Sequence, residues 1–195
     1  MIDREIADIS TSRRTFLCGS LLLPSVFLSD RALALPPHAQ TRPADQIRRL
    51  QLANDHTGEQ LDVVYWKNGE YIDDHIGQLN YFMRDHRENK SFLMDVKLYE
   101  FLSRLYKVLN PNVPIHVLSG YRTAATNAAL IKASSGVAKN SFHMVGKAVD
   151  FYIPGIDNKL IQREARRLML GGVGYYTKSG FIHLDTGYPR SWSDA

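Results

Sequence analysis

Three residues in this sequence have the types and the spacing to do chemistry together. The stretch "NSFHMVGKAVDFYI", residues 140–153, sets His143 and Asp150 on either side of Gly146, and the later stretch "FIHLDT" carries His183 and Asp185. A carboxylate beside Val149, Phe151 and Ile153 is costly to bury unless something pairs with it. With a strand's period of two, Ala148, Asp150 and Tyr152 share one face of "KAVDFYI", and Phe181, His183 and Asp185 share one face of "FIHLDT". If the two strands pair, Asp150 and His183 meet, and His143 folds over the same spot from just before the glycine turn. Two imidazoles and one carboxylate around a point, with a fourth position open, form the donor set of a catalytic zinc site rather than a closed structural one. Spacing alone leaves another reading standing. With 7 His and 20 Asp plus Glu, such separations also arise by accident, and each residue singly fits a surface or capping group.

Those residues need strands and helices to hold them. "IRRLQLANDHTGEQLDVVYWKNGEY" alternates around the turn signals "NDHTGE" and "KNG" and reads as a hairpin. "DVKLYEFLSRLYKVL" puts Leu98, Phe101, Leu102, Leu105 and Leu109 on one face of a core helix. "NPNVPIHVLSGYR" reads as a turn and a strand, and "TAATNAALIKAS" as a second helix. "DNKLIQREARRLML" reads as a third helix, capped by Asp157 or Asn158 and closed by Gly171 and Gly172. With "KAVDFYI" and "FIHLDT" flanking that third helix as strands, the expected class is α+β. The sheet is expected to be small and antiparallel, with helices packed on one side and the zinc site on the open face. A chain of 195 residues with 44% apolar content supports one compact core and is short for two full domains.

The N-terminus reads as a signal. "STSRRTFLCGSLLLPSVFLSDRALA" carries Arg13 and Arg14, then an apolar run broken by Pro24, then the small-x-small sequence Ala32-Leu33-Ala34. The run falls short of the roughly 20 residues a membrane span needs, so no stable span is expected after processing. The block from Ser12 to Leu17 resembles a twin-arginine export signal, which implies folding before export; an uncleaved anchor or a chance arginine pair is the alternative. The expected organisation is a signal peptide over residues 1–34, a linker over 35–45 and one domain over 46–195. The only cysteine, Cys18, lies in the signal, so the mature chain has neither disulfides nor a thiol nucleophile.

Charge excludes another class. The formal net charge is +4, and the basic residues are dispersed through "IRRLQ", "RDHREN" and "REARRL", without the clustered basic face that nucleic acid requires.

"SFHMVGKAVD" resembles the Ser-x-His-(x)6-Asp signature of the LAS-type zinc peptidases, which include the D-Ala-D-Ala carboxypeptidases and the VanX- and VanY-like enzymes. "SGYRT", "AKNSFHMVGKAVDFYIPG" and "GGVGYYTKSGFIHLDTG", in that order, resemble the YcbK-like murein endopeptidases of that group, over the chain from about Leu50 onward. The resemblance implies the LAS or hedgehog-type peptidase fold and a periplasmic hydrolase that cuts peptidoglycan cross-links. It further implies one zinc per chain held by His143, Asp150 and His183. Its partners would be the cross-linked peptides and, for delivery, the twin-arginine export machinery. A D,D- or L,D-carboxypeptidase of the same fold stays open, as does a zinc-stabilised module that binds the peptides without cutting them.

The same resemblance assigns further roles. Arg122 matches the arginine that LAS enzymes aim at the substrate carbonyl, where it stabilises developing negative charge; a structural clamp is the alternative. Ser141 reads as an orienting group rather than a nucleophile. VanX-like enzymes carry Glu-x-x-His and others His-x-His, but Gly180 and Phe181 occupy those places here, so the base is not inherited by motif. Asp185, on the strand face of His183, is the candidate base, and the alternative is a partner for an imidazole N–H.

Overall fold

The fold is α+β, seen in a computed structural model that describes residues 47–134 and 136–194. The signal and linker expected in residues 1–45, with Arg13, Arg14 and Cys18, lie outside the described residues. The hairpin read from alternation forms as β1 (Ile47–Asn54) and β2 (Gln60–Lys67), followed by the two-residue β3 (Glu70–Tyr71). The Asn54 carboxamide closes the first turn by accepting from the backbone N–H groups of His56 and Thr57. Helix α1 (Asp73–Phe82) has no counterpart in the sequence reading: its N-terminal residue Ile72 makes no side-chain cap, and only Leu79, Asn80 and Phe82 are buried.

Helix α2 (Val96–Leu109) forms as expected. The Asp95 carboxylate caps it by accepting from the Lys97 N–H, and Leu98, Phe101, Leu102 and Leu105 are fully buried. Strand β4 (Ile115–Ser119) and helix α3 (Ala124–Ala133), capped by Thr123, also follow the sequence pattern. A short 3₁₀ turn (Phe142–Val145) then leads into β5 (Ala148–Tyr152). Helix α4 (Asn158–Leu168) is capped by Asp157 but ends earlier than expected, on Met169 in the left-handed conformation (φ 53°). Gly171 and Gly172 therefore do not close this helix. Gly172 opens β6 (Gly172–Tyr176), which pairs with β7 (Phe181–Asp185), and β8 (Arg190–Ser193) completes the fold.

The eight strands of the described residues form one sheet in the order β3-β2-β1-β4-β5-β7-β6-β8. The small antiparallel sheet expected from sequence is thus an underestimate in size and in type. Strands β1 and β4 run parallel because α1 and α2 lie between them as a crossover, and β8 runs parallel to β6. One face of the sheet is apolar: Leu50, Leu52, Val63, Tyr65, Ile115, Val117, Val149, Phe151, Val173, Ile182 and Leu184 join residues of α1, α2 and α4 in a single core. Helix α3 is the exception to the one-sided helical layer, since its Leu130 lines the cleft on the other face. The site therefore lies behind a packed core. Leu102→Ala should cost about 2–5 kcal/mol of stability, measured by urea unfolding, because the emptied volume sits between rigid neighbours.

Candidate metal centre

Register brings the three candidate ligands together. Asp150 is the direct partner of His183 across β5 and β7, and Val149 pairs with Leu184 and Phe151 with Ile182, so the apolar partners face the core while the polar pair faces outward. A bulge between Val117 and Ser119 places Ser119 opposite Asp150 and turns the chain toward Gly120 and Arg122. At Gly120 a Cβ would collide with the backbone of Met83, and the Tyr121 N–H donates to the Met83 carbonyl at 2.7 Å, so this corner is fixed by close backbone approach. His143 enters from the 3₁₀ turn, where the Ser141 hydroxyl accepts from the His143 N–H at 3.3 Å. The left-handed Gly146 then turns the chain into β5.

Three ligand atoms converge: His143 Nε2 lies 3.2 Å from Asp150 Oδ1 and 3.2 Å from His183 Nδ1, and the latter two lie 2.8 Å apart. The outer contacts of both rings fix their tautomers. His143 Nδ1 is 2.7 Å from the Gly120 carbonyl, which only accepts, so the proton sits on Nδ1 and Nε2 offers a lone pair inward. His183 Nε2 is 3.1 Å from Asp185 Oδ2 and donates to it, so the neutral ring turns the lone pair of Nδ1 inward as well. Adding the Asp150 carboxylate gives three lone-pair donors facing one point. Ligand bonds of about 2.0–2.2 Å at tetrahedral angles would separate the donors by roughly 3.3–3.6 Å, close to the two separations of 3.2 Å and wider than the 2.8 Å between Asp150 and His183. The residues present therefore fit a metal ion, and no other group of three His, Cys, Asp or Glu among the described residues is so arranged. All three are buried, at the floor of a cleft of about 700 Å³ that opens between the end of α3, the β6–β7 turn and β8.

The electrostatics follow from this packing. Burial lowers the basicity of His143, keeping its ring neutral and its lone pair available. Burial works against the Asp150 charge, but the two imidazoles outweigh it and hold the carboxyl well below the usual range. For His183 burial also lowers basicity, and the bonds to Asp150 and Asp185 overcome it, leaving the ring above its ordinary value.

Residues 42–192 match the family model described as peptidoglycan L,D-endopeptidase MepK. The chain is 41% identical over 172 residues to the peptidoglycan L,D-endopeptidase MepK of Escherichia coli K12, covering 88% of this chain and 94% of that protein. It is also 41% identical over 146 residues to the probable peptidoglycan L,D-endopeptidase MepK of Haemophilus influenzae, covering 74% and 78% respectively. The chain belongs to the MepK family. The resemblance to YcbK-like murein endopeptidases drawn from the three motifs is thereby borne out, and the MepK family is one of metal-dependent peptidases.

Within this MepK-family fold, Arg122 reaches the centre from the loop after β4. Its Nη2 pairs with Asp150 Oδ2 and its Nε donates to the Ser119 hydroxyl at 2.9 Å, while Nη1 has no hydrogen-bond partner among the described residues and the side chain lines the cleft. Asp185 contacts the ring nitrogen of His183 that faces away from Asp150. It lies behind the His183 ring, fully buried, and accepts from His183 Nε2, from the Gly187 N–H at 2.9 Å and from both terminal nitrogens of Arg190. That geometry suits the alternative role of partner to an imidazole N–H, and gives no support to the base. Phe181, in the place of the His-x-His base, stacks on Tyr176 at 4.6 Å. Two residues that sequence reasoning missed are Arg190 and Trp192. Their only signal was the alternation of "RSW" against the glycines of "GGVG", which becomes legible once β8 is known to pair with β6.

Acid should expose how this support works. Burial raises the Asp185 pKa, but the bonds from His183, Arg190 and Gly187 outweigh it, so the folded value lies below the unfolded one. Its stabilisation is therefore present above the unfolded pKa of about 3.9 and is lost as pH falls through the folded value. In metal-free protein, Asp185→Asn should be less stable than the parent by about 3–5 kcal/mol at pH 7, as for a broken buried pair, and the gap should narrow below pH 4. Urea midpoints across pH measure it, and a gap independent of pH would contradict the assignment.

Proposed function

We propose that the mature protein is a periplasmic, zinc-dependent endopeptidase that hydrolyses L,D peptide cross-links of peptidoglycan, with His143, Asp150 and His183 holding one zinc. The observation that carries this reading is the meeting of one ligand atom each from His143, Asp150 and His183 in an open cleft in a chain of the MepK family. The bond type follows the relatives, whose names specify L,D-endopeptidase activity.

Each residue then has a task. His143 and His183 present lone pairs because Gly120 and Asp185 hold their outer protons. Asp150 supplies the negative charge, and Arg122 orients it through Oδ2. Zinc in this place acts as a Lewis acid that polarises a carbonyl and acidifies water toward a pKa of about 7. Arg122 lines the cleft, and its Nη1, without a hydrogen-bond partner among the described residues, would donate to the scissile carbonyl oxygen as negative charge builds there. Asp185 keeps the His183 ring in orientation.

Weighing the products of a defined, L,D-cross-linked muropeptide dimer tests this function. The dimer should be split into monomers with addition of one water, cleavage should stop with a chelator, and zinc should restore it. Arg122→Ala should keep zinc while losing about 10²–10³-fold in kcat. Binding of the dimer without turnover by zinc-loaded protein would favour the non-catalytic module, and release of a terminal amino acid alone would favour a carboxypeptidase.

Delivery is proposed from the sequence, with residues 1–34 as a twin-arginine signal, 35–45 as a linker and 46–195 as the enzyme. Among the described residues no helix is long and apolar enough to cross a membrane. Replacing Arg13 and Arg14 by lysine should leave the protein in the cytoplasm, as cell fractionation would show, and unchanged export would contradict the route.

A further inference from the structure

We propose that Arg190 is a positioning residue for the metal centre: its guanidinium fixes the plane of Asp185, Asp185 fixes the ring of His183, and His183 thereby turns Nδ1 toward the ion. This rests on the reading of His183 as a metal ligand. Arg190 Nη1 donates to Asp185 Oδ1 at 2.9 Å and Nη2 to Oδ2 at 2.7 Å, a two-pronged pairing with a carboxylate that has no exposed surface. Oδ2, the oxygen held by Nη2, is the one that accepts from His183 Nε2 at 3.1 Å. An imidazole has two nitrogens, and which one faces a metal is set by the bond that the other makes.

The C-terminal strand is built for this contact. Parallel pairing of β8 with β6 sets Arg190 beside Gly172 and Trp192 beside Gly174. A Cβ on Gly172 would overlap both the Arg190 guanidinium and the Asp185 carboxylate, and one on Gly174 would overlap the Trp192 indole. Two missing side chains on β6 therefore make room for two large ones on β8. The guanidinium lies among the rings of Phe142, Tyr188 and Trp192, with its centre 5.5, 5.0 and 4.9 Å from their centroids, which restricts its swing. Phe142 is the neighbour of His143, and the Trp192 ring centroid lies 5.4 Å from that of His183, so the same strand also packs against the ligand itself. Lysine could restore the charge beside Asp185 but not the two-pronged geometry.

The test measures how fast zinc leaves the loaded mature protein when a chromogenic chelator is in excess, alongside circular dichroism and melting of each variant. Arg190→Lys should keep the fold yet release zinc about 10–100-fold faster, the range for loss of an outer partner of a metal-ligating histidine. Arg190→Ala should release it at least as fast, with kcat reduced and KM within about twofold, a split expected when the centre rather than substrate binding is disturbed. Combining Arg190→Lys with Asp185→Asn should add little to either alone, because both act through one chain of contacts. Zinc retention by Arg190→Lys equal to that of the parent would overturn the proposal, as would effects that multiply in the double variant. If Arg190→Ala does not fold, Arg190→Lys decides alone. Failure of the parent protein to take up zinc would instead overturn the reading of the site itself.

Discussion

Asp150 is a negative charge carried into the interior on a strand whose other face is the hydrophobic core, and the neighbouring structure is arranged around that charge. An isolated buried carboxylate is untenable in a protein interior. Here two imidazoles and one guanidinium converge on it, each from a different element: His143 from the 3₁₀ turn, His183 from β7 and Arg122 from the loop after β4. Of the two rings, burial keeps His143 neutral, while Asp150 and Asp185 hold His183 above its ordinary value, so the carboxylates balance what charge that ring carries. The same three residues could hold a metal ion at their common point.

The same alternation that aims Asp150 outward aims Val149 and Phe151 inward, so site and core are set by one register. A slip of one residue between β5 and β7 would turn the shifted strand over, carrying its candidate ligand into the apolar layer and its apolar residues outward. The apolar pairs thus do more than stabilise the sheet; they fix where two of the three candidate ligands meet. The third ligand depends on loop geometry, because His143 is held by the carbonyl of Gly120, whose position is in turn set by contact with Met83 at the end of α1.

What was legible in the sequence follows from how local each signal is. Period-two alternation in "KAVDFYI" and "FIHLDT" anticipated the Asp150–His183 pair, and the apolar face of α2 was readable from Leu98 to Leu109. Helix α1 was not, because Ile72 gives no cap and Gly77 interrupts a segment with few buried residues. The extent of the sheet was not, because the parallel pairing of β1 with β4 and of β6 with β8 joins segments with no local turn between them. Gly171 and Gly172 looked like a helix stop, since sequence cannot show that glycine was needed for the approach of Arg190 and Asp185. Asp185 illustrates the same limit at the site: strand periodicity put it on the face of His183, but only its contacts reveal that it stands behind the ring.

The most direct measurement is a crystal structure of the zinc-loaded protein with anomalous scattering recorded on both sides of the zinc absorption edge. The geometry predicts a single strong zinc peak about 2.0–2.2 Å from His143 Nε2, Asp150 Oδ1 and His183 Nδ1, with His183 Nε2 still bonded to Asp185. A peak coordinated through His183 Nε2, or one at any site not shared by these three residues, would contradict it.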